Sequence, residues 1–295
     1  MGSYKYVITV LVLGLLVVWL AVFSFPSPKL HLVTCDVGQG DASLIIYGNF
    51  EILIDGGPDN KVLECLGRHL PFTDRTLEVV VLTHPEKDHY GGLLEVFKRY
   101  RVEKFIANSL NSGSPNYEVL VNLVGGGGTQ VINPRNGLAI RYGLLQLDIL
   151  YPNDQSYLAD SGKNAGQVLG IYTTNWSPNE FSIVTKLALG DFQAFFPGDL
   201  DSQNLDLLTV SGRLEDVNYI KVPHHGSRTG MTLRALTVLR PEIAVISAGK
   251  NNRFGHPHPE ILEMLGNAKS QILRTDIVGD IEIITDGEKW WIKTD

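Results

Sequence analysis

Cysteine is scarce: the 295 residues hold only Cys35 and Cys65, too few for a disulfide framework. Each stands in an apolar context, so both are expected as buried free thiols. Positive charge is also short, with 25 Lys and Arg against 32 Asp and Glu and a formal charge of −7. That balance excludes a broad basic surface gripping nucleic acid by counterion release, while leaving room for a local basic groove. Low-complexity sequence is nearly absent, its longest stretch being Gly125 to Gly128. With hydrophobic residues at 44%, intrinsic disorder is excluded as the main state. There is no internal repeat.

What the chain does have, at its start, is an uncharged run of nineteen residues from Val7 to Phe25. At about 1.5 Å per residue such a run crosses a hydrocarbon layer. It is longer than a signal peptide's apolar region of about 7 to 15 residues, and Ala21, Val22, Phe23 and Ser24 offer no small-X-small cleavage site. A single-pass anchor over residues 7–25 is therefore expected, with secretion after cleavage as the alternative. Tyr4, Tyr6 and Trp19 suit the two interfaces, and Pro26 and Pro28 stop the helix. Lys5 and the α-amino group on one side, against Lys29 on the other, direct the large domain out of the cytoplasm. The expected organisation is an anchor and linker over 1–29 and one domain over 30–295.

After Lys29 the pattern changes to short strand-like runs, LHLVTCD, ASLIIY, FEILIDG and VVVLTH, and later FSIVTKLAL, FQAFFPG, VNYIKV, IAVIS and IEIIT. Amphipathic stretches at Lys61 to Leu70, Gly91 to Tyr100, Met231 to Leu239 and Pro259 to Ala268 read as helices. Their irregular alternation favours two packed, mixed sheets with helices outside over a strict parallel repeat. Asn108 to Asn136 and Tyr151 to Asn179, rich in Gly, Asn, Pro and Ser, read as surface insertions.

Six of the eight histidines fall in three short clusters after such strands. In VVVLTHPEKDHYGG, the residues His84, Glu86, Asp88 and His89 put four ligand-capable side chains within six positions. Imidazoles and carboxylates at that density desolvate badly unless a cation organises them. Asp199 follows another strand in FFPGDL, His224 and His225 follow a third in YIKVPHHGS, and prolines stiffen His256 and His258 in FGHPHP. Strand ends gathered at one sheet edge bring such loops to a common cleft. His31 and His69 lie in a strand and a helix away from these loops and read as structural.

VLTHPEKDHYGG, then PGD, then VPHHGS resemble the metallo-β-lactamase fold superfamily of metal-dependent hydrolases. More narrowly, CDVGQGDASLI, ILIDGGP, HHGS, GHPHPE and RTDIVGDI are similar to the soluble domain of the ComEC-type competence proteins. The resemblance runs from about Leu30 to the C-terminus, and a single anchor stands where that family has many membrane spans. It implies an α+β fold, an αββα sandwich with the metal cleft at one edge. It also implies metal ligands at His84, Glu86, Asp88 and His89, a bridging Asp199, and a late histidine at His225 or His224. Asp55 matches the aspartate that braces the metal loop, Asp36 and Asp41 flank the turn bordering the cleft, and His256 is the remaining cleft histidine, with His258 beside it. Ser227 belongs to the HHGS motif. Glu86 departs from the usual His or Asp, which favours manganese alongside zinc. No histidine occurs between His89 and His224; Asn179 and Ser182 occupy a region where the competence relatives carry an Asn and a Ser.

The expected activity is hydrolysis by a water that one or two divalent cations, zinc or manganese, acidify. Asp88 orients or deprotonates that water, and His225 or His256 protonates the leaving group. The resemblance implies a phosphodiester, as single-stranded DNA or a nucleotide outside the membrane, and no obligate protein partner. A catalytically weak DNA- or protein-binding module and a thioesterase or lactonase are the alternatives.

Overall fold

The computed structural model describes residues 3–24, 27–134, 137–152, 169–170 and 175–294, and within the first helix the side chains of 4–16 and 19. That helix, α1 (Ser3–Ser24), is 22 residues long, and every described side chain on it is exposed, Tyr6, Leu11, Leu15 and Trp19 included. A helix therefore covers the described part, residues 7–24, of the expected anchor. Among the described residues, however, no helix is long and apolar enough to cross a membrane.

Two sheets form the centre. The first holds β1 (Leu30–Thr34), β2 (Ser43–Tyr47), β3 (Phe50–Ile54), β4 (Thr76–Leu82), β5 (Arg101–Ala107) and β6 (Gln130–Ile132). The second holds β7 (Ala139–Tyr142), β8 (Leu145–Tyr151), β9 (Val184–Leu189), β10 (Phe192–Phe196), β11 (Tyr219–Lys221), β12 (Ile243–Ile246) and β13 (Gln271–Arg274). The chain then returns to the first sheet with β14 (Ile281–Thr285) and β15 (Trp290–Thr294). Strand orders are β15-β14-β1-β2-β3-β4-β5-β6 and β13-β12-β11-β10-β9-β8-β7. Both sheets are mixed. The meander β1-β2-β3 is antiparallel and β3 to β6 are parallel, while β7 to β10 are antiparallel and β10 to β13 parallel.

The period-two pattern of each strand divides its side chains between two cores. In β4, Val79 and Val81 face the partner sheet, where they join Leu32, Ile45 and Ile52 against Leu187, Phe196, Tyr219 and Ile243. Val80 and Leu82 face outward, under α2 (Lys61–His69), α4 (Leu93–Arg99) and α5 (Pro115–Gly126). The short α3 (Lys87–Tyr90) lies between α2 and α4 in the chain. On the far side, α6 (Ser202–Val210), α7 (Leu233–Leu239) and α8 (Pro259–Asn267) set Leu205, Leu236, Leu239 and Ile261 on Phe195, Ile220, Ala244 and Ile246. Each such Leu or Ile contributes about 1.5–3 kcal/mol by leaving water. The layers are helix, sheet, sheet, helix, as expected.

Two expectations are corrected. Cys35 and Cys65 form a disulfide, their Cα atoms 5.8 Å apart. Cys35 follows β1 and Cys65 lies on the buried face of α2, so the packing of helix on sheet that buries both thiols also brings them together. The stretch Asn108 to Asn136 is not simply an insertion, since it contains α5 and β6. Tyr117, Leu120 and Val124 recur on one helical face and are buried, with Ser114 at the N-cap and Pro115 opening the first turn. The other expected insertion, Tyr151 to Asn179, lies largely outside the described residues.

Candidate metal centre

β3 and β4 of one sheet and β10, β11 and β12 of the other deliver the candidate side chains to one rim. Thr83 and Ile183 join across it by a backbone bond, and the Ser247 hydroxyl donates to the Gly40 carbonyl at 2.6 Å. After β3 the backbone turns at Asp55 with φ 61, and after β11 it turns at His224 and His225 with φ 50 and 55. Three non-glycine residues thus hold the left-handed conformation that L side chains adopt reluctantly, and strain of this kind collects at functional sites. Gly40 is required sterically, because a Cβ there would lie 2.3 Å from the Asp88 carbonyl oxygen.

One edge of each central imidazole is tied down. His84 Nδ1 lies 3.0 Å from Thr83 Oγ1 and 3.4 Å from Ser182 Oγ. His89 Nδ1 is 2.8 Å from Asp55 Oδ2, and Asp55 also accepts from the Thr83 amide and hydroxyl. His225 Nδ1 is 3.1 Å from the Ser247 carbonyl and 3.2 Å from Asp41 Oδ1. The opposite edges are bare: Nε2 of His84, His89 and His225 and Oδ1 of Asp199 are buried without a hydrogen-bond partner. They converge, with ligand atoms of His84, His89 and Asp199 within 4.8 Å of one another and those of Asp88, His89 and His225 forming a second such group. Asp199 stands between the groups, its Oδ2 3.4 Å from His89 Nε2 and 3.6 Å from His225 Nε2. Buried, unpartnered and convergent imidazole and carboxylate atoms are the donor set of a transition-metal site, so the residues fit one or two divalent cations.

The electrostatics agree. Burial opposes charge on His89, but the Asp199 and Asp55 carboxylates hold its pKa well above the ordinary imidazole value. His225 is likewise pushed up to about 10 against burial, by Asp199 and Asp41. Burial and then the charge of His89 push His84 down to about 3. Burial would raise Asp199, yet His89 and His225 bring it well below the carboxylate range. The Asp199 and Asp88 carboxylates are thus held ionised, as cation ligands must be, while His89 and His225 would each give up a proton to a bound cation.

Not every expected residue joins the cluster. Glu86 stands at the rim, its side chain 40% exposed and Oε2 4.0 Å from His84 Nε2. Burial, then Asp88 and Asp199, raise its pKa. Of the two late histidines, His225 is buried among the ligand atoms, while the half-buried His224 reaches Asp199 only at 3.9 Å. His256 lies at the lip, its ring centroid 6.2 Å from that of His225 and 5.7 Å from that of His224, and Gln39 Nε2 lies 3.4 Å from its Nδ1. Burial and neighbouring imidazoles push His256 down to about 4. His258 packs on His256 with centroids 4.9 Å apart and sits at the N-cap of α8. Ser182 donates structure rather than a ligand, its Oγ accepting from the Asp199 amide. Asn179 lies within the adjacent single turn Pro178–Phe181. Ser227 acts at one remove, through Thr229, which lies 3.3 Å from His224 Nδ1. Asp36 braces the turn by accepting from the Gly38 amide, and its own amide donates to Asp280. His31 and His69 pair with Glu282 and Asp280 away from the site.

Sequence reasoning missed Lys221. It is 2% exposed and its Nζ lies 2.7 Å from Asp41 Oδ1, the oxygen that also faces His225. Burial would raise the Asp41 pKa, but the Lys221 ammonium and His225 hold it well below the carboxylate range. The signal was a lysine inside the otherwise apolar YIKV, since a buried lysine needs an anion beside it.

Comparison with known proteins agrees with this geometry. The family described as Metallo-beta-lactamase superfamily matches residues 35–250. Among curated proteins the chain is similar to ComE operon protein 3 of Bacillus subtilis (strain 168), 26% identical over 266 residues, covering 84% of this chain and 32% of that protein. Recombination protein 2 of Haemophilus influenzae is 26% identical over 263 residues, 87% of this chain and 29% of its own. The chain thus spans about a third of the length of these relatives. Among solved structures, the metallo-beta-lactamase fold protein YhfI from Bacillus subtilis has a TM-score of 0.51 at 11% identity over 83% of this chain and 95% of its own. The metallo hydrolase Igni18 from Ignicoccus hospitalis has a TM-score of 0.52 at 17% identity over 86% and 98%. At such identities the likeness concerns the fold alone.

Proposed function

Because the chain belongs to the metallo-beta-lactamase superfamily, we propose that it is a metal-dependent hydrolase of phosphodiesters, acting on single-stranded DNA or a nucleotide outside the membrane. The observation that carries the reading is the convergence of three bare, buried imidazole nitrogens on Asp199. His84, His89 and Asp199 would hold one cation, and Asp88 and His225, with Asp199 between the two groups, a second. Manganese or zinc held there supplies Lewis acidity and acidifies a water at neutral pH.

The protein's own groups do the rest. Asp55 and the Ser247 carbonyl fix the tautomers of His89 and His225 by accepting from Nδ1, which leaves Nε2 as the ligand atom. Asp88 is pulled down to about 2, burial being outweighed by the adjacent His225 and His89 imidazoles; it remains an anion able to orient a water or accept its proton. His256 stands at the lip, its pKa held low by burial and the neighbouring imidazoles, where it would relay a proton to or from the reacting groups. The curated relative named for recombination supports nucleic acid as the substrate.

The disulfide supports placement on the oxidising side of a membrane. The uncharged run over 7–25, with its exposed apolar side chains on α1, supports attachment there.

Elemental analysis of the purified chain, coupled to a phosphodiesterase assay with added manganese or zinc, tests the function. One to two cations per chain and turnover abolished in a His84→Ala, Asp88→Ala double variant are expected. A metal content near zero with no turnover would favour a binding module, and turnover of esters alone would favour a thioesterase or lactonase.

A further inference from the structure

The loop after β12 reads AGKNNRFGHPH from Ala248 to His258 and contains no acid, although the protein as a whole carries −7. It is built rigidly. The Asn252 side chain donates to the Gly249 and His256 carbonyls and accepts from the His256 amide, and the Gly249 amide donates to Gln39 Oε1. This frame presents an aromatic ring to solvent: Phe254 is 50% exposed. No burial explains a phenyl ring there.

Its orientation is set by the site. The Phe254 ring lies 5.6 Å from that of His256 at an interplanar angle of 22°, and His256 in turn lies 6.2 Å from His225 at 29°. Ring contacts therefore run from the candidate metal ligand His225 through His256 to the exposed Phe254. The Arg253 guanidinium is 5.0 Å from the Phe254 centroid, and Lys250 is exposed on the same loop. An exposed aromatic ring on a rigid basic loop without a carboxylate is how proteins hold single-stranded nucleic acid: the base stacks and the adjoining phosphate meets a cation of the loop.

We propose that Phe254, with Arg253 and Lys250, is a subsite that stacks a base of single-stranded DNA neighbouring the phosphodiester under attack. This rests on the hydrolase reading above and names the element that selects its substrate. It also reconciles the overall negative charge with an anionic substrate, since the contact needs one short basic segment rather than a broad field.

The test compares binding of two single strands of equal length, an oligothymidylate and its counterpart made of abasic tetrahydrofuran nucleotides, to the full chain by fluorescence anisotropy. Both present the same phosphates. The wild type is expected to prefer the base-bearing strand by about tenfold, Phe254→Ala to lose that preference, and Phe254→Trp to keep it. Circular dichroism confirms that the variants fold. A wild type without preference, a Phe254→Ala variant that retains it, or a Phe254→Trp variant that loses it with Phe254→Ala would each overturn the subsite. Turnover of the same strands is read separately. Preference without turnover would sink the hydrolase reading while leaving the subsite standing, and turnover without preference would do the reverse.

Discussion

Lys221 ends a strand buried on both faces, and an ammonium there is tolerable only because Asp41 neutralises it. Replacing it by methionine keeps the volume but strands the Asp41 carboxylate in the interior. Such a break in a buried pair costs about 3–5 kcal/mol, measurable by denaturant unfolding. Lys221 also helps aim Asp41 at His225, so affinity for the second cation should fall about 10- to 100-fold, read by chelator competition. Adding Asp41→Asn to Lys221→Met should recover part of the stability and none of the affinity. Unchanged metal affinity in the single variant would show that Lys221 serves packing alone. At this scale the chemistry-bearing residues were legible: His84, Asp88, His89, Asp199 and His225 follow strand ends in the sequence and meet in space. Thr83 and Lys221 were not, because nothing in the linear pattern tells which small hydroxyl or strand lysine faces a ligand, whereas Ser182 was reached only through the resemblance.

Among the elements, strands with period-two alternation were legible, as were helices whose apolar residues recur without interruption. The helix α5 was hidden by its flanks, where Gly, Asn, Ser and Pro outvote the three apolar positions that bury it. Glu51, in β3, was hidden for the opposite reason, since a single carboxylate in an apolar strand looks solvent-facing and is in fact 2% exposed. Burial, then its neighbour Glu78 and the charge of Asp74, raises its pKa from 4.5 to about 8. Below 4.5 the group is protonated whether the chain is folded or not, and its contribution to stability is complete. As pH rises through that window the unfolded chain releases the proton first, so stability drains away until the folded form also ionises near 8. The variant Glu51→Gln, which cannot ionise, should therefore match the wild type in melting temperature near pH 4 and exceed it at pH 8 to 9. A constant difference across that range would show that the shift is absent.

For the molecule as a whole, the two-sheet architecture and the edge position of the site followed from the order of elements, whereas the state of the cysteines did not. Two thiols thirty positions apart carry no sequence signal for pairing, and only the docking of α2 on β1 brings them together. The bond has consequences at both ends of the domain's life. It pins the start of the turn that carries Gln39, Gly40 and Asp41, so its loss should cost about 2–5 kcal/mol and loosen the wall of the cleft. It also constrains where the domain folds, because reducing cytosol keeps such thiols apart. If the body of the chain lies outside the membrane, a thiol-reactive polyethylene glycol added to denatured chain from freshly lysed cells should leave its mobility unchanged. After reduction the same reagent should attach twice. Two adducts without reduction would mean that the domain matures in the cytosol, and the outward orientation read from Lys5 and Lys29 would be reversed.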